Sequence, residues 1–121
     1  MHHLLILGEK LDEKHESSLE KQEYTFSYAE TEEKVFSEIK DSPPDLMIVD
    51  FSSSLSERLE ILEKVRESYE DFIKRLAILP ERRSEDPEMQ RAIHISNGIY
   101  RKPIRTRDLL NVIHKIVYNI D

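Results

Sequence analysis

Four short apolar runs punctuate the chain, each with the length and flanks of a strand. Leu4-Leu5-Ile6-Leu7 stops at Gly8, and Leu46-Met47-Ile48-Val49 follows Pro43-Pro44 and stops at Asp50. Leu76-Ala77-Ile78-Leu79 stops at Pro80, and Ile99-Tyr100 lies between Asn97-Gly98 and Lys102-Pro103. Runs that are apolar at successive positions suit strands buried on both faces, as in a parallel sheet covered by helices. A fifth segment, residues 24–29, alternates aromatic and small residues, the pattern of an edge strand with one buried face.

Helical patterns fill the intervals. Residues 10–21 are highly charged, with only Leu11 and Leu19 clearly apolar. Thr31 is placed to cap a helix that carries Val35, Phe36 and Ile39. Residues 56–69 set Leu59, Leu62, Val65 and Tyr69 on one stripe with Ile61 beside it. Asp86-Pro87 reads as an N-cap and first helical residue for a helix over 87–96, with Met89, Ala92 and Ile93 turned inward. Thr106 is expected to cap a last helix bearing Leu109, Leu110, Val112, Ile113, Ile116, Val117 and Ile120, the most apolar of the set and expected to pack hard on the sheet. Five alternating β/α units with right-handed crossovers make a doubly wound α/β domain, with its site at the C-terminal rim of the strands.

At 121 residues the chain is expected to form a single domain over 1–121. It has no cysteine, which excludes disulfide scaffolds, thiol catalysis and Cys-ligated metal. No apolar run approaches the ~18–20 residues of a membrane span, and the apolar stretch after Met1-His2-His3 is too short for a signal peptide. No membrane association is expected, and the location is expected to be cytoplasmic. The net charge of −7 is uneven: residues 1–98 carry −10, whereas residues 99–121 carry +3 through Arg101, Lys102, Arg105, Arg107 and Lys115 against Asp108 and Asp121. The acidic body argues against a nucleic-acid partner. The basic end fits an acidic protein, although exposed basic residues near a helix start need no partner at all.

The rim is where chemistry collects. The first strand ends in Gly8-Glu9, the third in Asp50, the fourth in Pro80, and the fifth in Lys102-Pro103. Two carboxylates and an ammonium meeting at one edge suit Mg²⁺, which binds oxygen and keeps several waters. The lysine is suited to neutralise a phosphoryl oxygen. Polar strand ends also occur without function, but placement after the first, third and fifth strands favours a site.

With these residues the whole chain resembles a response-regulator receiver domain. In that family an acid pair ends the first strand, a phosphorylated Asp the third and a Ser or Thr the fourth, and a cis Lys-Pro follows the fifth. The resemblance implies a flavodoxin-like (βα)5 fold with parallel sheet order 2-1-3-4-5. It implies Asp50 as phosphoacceptor, Lys102 as its partner, and Glu9, Asp50 and the Ser52 carbonyl as Mg²⁺ ligands. Several positions depart from the pattern. Gly8 stands for the first acid, so Mg²⁺ binding is expected to be weak. Pro80 replaces the switching hydroxyl, and it has neither hydroxyl nor N–H to donate. Ile99 replaces the switching aromatic, and Tyr100 should face the other way. Ser54 replaces a usual Pro, and Arg58 a usual Gly. The resemblance is therefore to the degenerate, or pseudo-receiver, branch.

Two functions follow. The first is a non-enzymatic protein-interaction module of signalling, with Tyr100, Arg101, Arg105 and Arg107 as its docking face. The alternative is a phosphotransfer regulator that accepts phosphate from a histidine kinase on Asp50 with Mg²⁺. Either way the partner is a signalling protein, a histidine kinase or an output protein. Other chemistry finds little support. His94 and His114 are not spaced as a metal pair, Ser52-Ser53-Ser54 lacks a nucleophile elbow, and two glycines do not make a phosphate cradle.

Overall fold

The computed structural model describes residues 2–119, apart from the side chain of Asp71. The elements alternate as β1 (His2–Leu7), α1 (Glu13–Lys21), β2 (Tyr24–Ala29), α2 (Glu32–Asp41), β3 (Leu46–Asp50), α3 (Leu55–Tyr69), β4 (Lys74–Leu79), α4 (Pro87–His94), β5 (Gly98–Arg101) and α5 (Thr106–Val117). A short 3-10 turn, Glu70–Phe72, links α3 to β4. The sheet is five-stranded in the order β2-β1-β3-β4-β5, as expected, and every pairing is parallel. β2 is an edge strand, again as its alternation predicts.

The double-sided apolar runs explain the layering. All five residues of β3 are buried, and alternate ones face opposite layers. Met47 and Val49 join Val35, Ile39, Leu59, Leu62, Val65 and Ala92 under α2, α3 and α4. Leu46 and Ile48 join Leu19, Leu109 and Ile113 under α1 and α5. Each fully buried aliphatic side chain contributes about 1.5–3 kcal/mol relative to exposure. A one-residue slip in register would exchange the two sets, so the pattern fixes the pairing.

Two of the expected caps form. The Thr31 hydroxyl accepts from the Lys34 N–H at 3.2 Å, and the Asp86 carboxylate accepts from the Glu88 N–H at 2.9 Å. α4 stops at His94, slightly short of the expected span, with Ile93 only half-buried. The expected cap of α5 does not form. Arg105 is the N-cap and Thr106 the first helical residue, and the Thr106 hydroxyl lies 2.6 Å from His15 Nδ1 in a hydrogen bond to α1. α5 also packs less completely than its composition suggests. Leu109 and Ile113 are buried, but Leu110, Val112, Ile116 and Val117 are only partly covered. At about 100° per residue these positions span roughly 160° of the helix, too wide an arc for one sheet face to cover. Ile120 lies outside the described residues.

One buried cation supports the far end of the fold. Arg75 on β4 is 5% exposed, and its guanidinium donates to the carbonyls of Ile95, Glu70 and Ile73 at 2.7, 2.7 and 3.0 Å. It thereby satisfies backbone acceptors where α3 and α4 end.

Candidate functional site

The chain order that builds a parallel sheet also places β1, β3 and β5 with their C-terminal ends at one rim. Asp50 closes β3 and is 6% exposed. Its Oδ2 lies 2.9 Å from Lys102 Nζ, which is carried on the loop after β5. Its Oδ1 accepts from the Ser52 N–H at 2.9 Å and from the Ser52 hydroxyl at 2.5 Å. Lys102 Nζ also donates to Ser52 Oγ at 2.8 Å, closing a three-membered polar ring. The Lys102-Pro103 peptide bond is cis.

Burial pushes the Asp50 carboxyl up, but the hydrogen bonds from Ser52 and Lys102 and the Lys102 charge outweigh it. The net result lies below the usual carboxylate range. Asp50 is therefore an anion at neutral pH, held beside an ammonium.

A cleft of about 270 Å³ opens at this rim, lined by Glu9, Asp12, His15, Asp50 and Lys102 among others. A larger cleft of about 410 Å³ sits among Arg66, Glu67, Glu70 and Arg75. There Arg75 is committed to backbone carbonyls, so the rim cleft is the better site. Glu9 is exposed on the loop after β1. Among the described residues no group of three or more His, Asp or Glu side chains converges as a metal cage. The Glu9, Asp12 and Asp50 carboxylates line the rim cleft. They are hard oxygen donors of the type Mg²⁺ takes, and they suit an ion that keeps most of its waters.

Gly8 is more than a missing acid. Its φ is +148°, and a β-carbon placed there would fall 2.7 Å from the Asp50 β-carbon. The backbone of β1 passes too close to β3 here for any side chain. Arg58 on α3, eight residues after Asp50, reaches back so that Nη1 donates to the Asp50 carbonyl at 2.6 Å. Sequence reasoning noted this arginine only as a departure. A detectable signal existed, since a cation in the first turn of a helix opposes the macrodipole and needs a nearby acceptor. His15 was missed as well. Positions 11, 15 and 19 share one helical stripe, and His15 is 4% exposed beneath α5.

The four residues of the expected docking face differ in exposure. Tyr100 is a correction: it is 8% exposed and belongs to the layer under α5, so it cannot present its ring to a partner. Its hydroxyl accepts from the Arg105 N–H at 2.9 Å. Strand alternation decides this, because Tyr100 pairs with inward-facing Ile78 and Ile99 with Ala77. Ile99 is 46% exposed on the opposite face. Arg101 is half-buried and donates to the Pro80 carbonyl at 3.0 Å, while Arg105 and Arg107 are exposed.

Five parallel strands in this order, with an aspartate and a lysine meeting at their rim, define the receiver fold of response regulators, and comparison with solved structures agrees. The receiver domain of TorR, the response regulator of a TMAO respiratory system, superposes with a TM-score of 0.82 at 17% identity, covering 100% of both chains. A response regulator from Thermotoga maritima gives 0.78 at 20% identity, over 97% of this chain and 98% of its own. NtrX from Brucella abortus, in complex with ADP, gives 0.78 at 15% identity; this chain is matched over 98% but spans only 26% of that one. No family model and no curated protein matches the sequence. The likeness is one of fold.

Proposed function

We propose that this chain is a signalling module of receiver fold that acts mainly by binding a protein partner, with a partly degenerate phosphoacceptor site at Asp50. The observation that carries the reading is a contrast within one rim. The acceptor and its lysine are in contact at 2.9 Å, yet the parts that would relay a change at Asp50 to the surface are missing. Pro80 ends β4 with no hydroxyl to move toward a phosphoryl group. Ile99 offers no ring, and Tyr100 is tied inward by the Arg105 N–H. A ligand shifts a two-state equilibrium only by its differential affinity for the two states, and here the contact that would create that difference is absent.

On this reading Mg²⁺ binds weakly, through Glu9, Asp50 and the Ser52 carbonyl. The partner is an acidic signalling protein that meets Arg101, Arg105 and Arg107, rather than a nucleic acid or a membrane. No helix among the described residues is long and apolar enough to cross a membrane. The reading places the chain in the cytoplasm, which its cysteine-free sequence fits. The Asp50–Lys102 contact also favours a second reading, a phosphotransfer regulator charged by a histidine kinase with Mg²⁺.

Amide chemical shifts with and without Mg²⁺ and beryllofluoride separate the two. The module reading expects changes near Asp50 and little across residues 99–118, with a larger response in the Pro80→Thr, Ile99→Tyr double variant. Large shifts across 99–118 in the wild type, abolished by Asp50→Asn, would establish the switching regulator instead.

A further inference from the structure

The room that a side chain at position 8 would occupy is already filled. A β-carbon on Gly8 would meet the Asp50 β-carbon at 2.7 Å and the Asp50 nitrogen at 3.5 Å, and Arg58 Nη1 lies 3.6 Å away. Arg58 is anchored there by its 2.6 Å bond to the Asp50 carbonyl. Among the described residues it makes no ion pair, so its charge is not neutralised by a neighbouring carboxylate. Asp50 therefore lies between two cations, Lys102 on its carboxylate and Arg58 on its carbonyl, at the edge of the cleft that Glu9 also lines.

We propose that Arg58 is a specificity-determining residue that disfavours divalent metal at this rim. Gly8 borders Arg58, since a β-carbon there would lie in van der Waals contact with Arg58 Nη1 and any longer side chain would compete for the same space. The inference rests on Glu9 and Asp50 being the metal-facing pair of the preceding reading, and it adds a cause for weak binding other than the lost carboxylate. A unit charge held several ångströms from a dication in a half-buried, water-accessible position weakens binding by about five- to tenfold. Salt should narrow that difference.

The test is titration of the full chain with Mn²⁺, followed by paramagnetic broadening of amide signals, with Mg²⁺ calorimetry alongside. Arg58→Gln keeps a donor for the Asp50 carbonyl and removes the charge, Arg58→Ala removes both, and Arg58→Lys keeps the charge. Arg58→Gln and Arg58→Ala should bind about five- to tenfold more tightly than the wild type, with broadening centred on residues 8–10 and 50–52. Arg58→Lys should stay within about twofold of the wild type, and adding Glu9→Gln to Arg58→Gln should cancel the gain. Unchanged or weaker affinity in folded Arg58→Gln and Arg58→Ala overturns the proposal. Tight binding by the wild type would instead overturn the weak-metal part of the function reading, whatever Arg58 does.

Discussion

Replacing either glycine with alanine places a new methyl group 2.7 Å from a heavy atom, yet the two substitutions should differ sharply. At Gly8 the obstacle is the Asp50 β-carbon, fixed to the backbone of the central strand, and the local φ of +148° is one that L side chains rarely adopt. Relief requires β1 and β3 to part or the backbone to rotate. The strained dihedral alone costs about 1–3 kcal/mol, and the displaced strand adds to it. At Gly98 the obstacle is the Ile116 δ-carbon, the far end of a flexible side chain on a half-covered helix. A rotamer change clears it, and alanine in a strand regains about 0.5–1 kcal/mol over glycine. Gly8→Ala should therefore lose about 2–4 kcal/mol, and Gly98→Ala should lie within about 1 kcal/mol of the wild type. For a domain of this size each kcal/mol moves Tm by roughly 3–5 °C, so Gly8→Ala should melt roughly 6–20 °C below the wild type and Gly98→Ala within roughly 5 °C of it. Urea denaturation with a shared m-value gives the difference directly. Equal midpoints for Gly8→Ala and the wild type would refute the close approach of β1 to Asp50, and with it the account of why the first acid is absent.

Two further outcomes follow from buried polar groups. Burial lowers the His15 pKa below its usual 6.5, opposed by the Asp12 charge and aided by Lys14, so the folded state favours the neutral ring. Protonation then favours the unfolded chain, and stability should be full above about pH 6.5 and fall as the pH drops below it, by at most about 1.4 kcal/mol per pH unit. His15→Gln should flatten that slope between pH 6.5 and 5 in urea titrations, and parallel slopes would show that the ring is not desolvated. Arg75→Met should destabilise by about 3–5 kcal/mol, because three backbone carbonyls, two of them in buried bonds, lose a charged donor. A variant with the wild-type urea midpoint would mean that water satisfies those carbonyls instead.

The order of elements, the parallel sheet and the rim were legible in the sequence because they rest on local signals. Apolar runs of strand length, helical stripes and capping residues such as Thr31 and Asp86 act within a few residues of where they are read. Asp50 and Lys102 were found in the same way, as polar ends of apolar strands whose topology brings them to one edge. The tertiary structure decided what depends on contacts between distant segments. Thr106 was taken from its capping role by His15, 91 positions away. Gly8 is required because β1 approaches the Asp50 β-carbon of β3, and Arg58 found its place on the Asp50 carbonyl, eight residues back. Alternation already turned Tyr100 away from the Ile99 face, but its burial among the residues under α5 and the Arg105 N–H on its hydroxyl came from packing. A linear pattern reports which face a residue belongs to. Which partner it meets there, and how much of it remains exposed, is settled only when the elements pack.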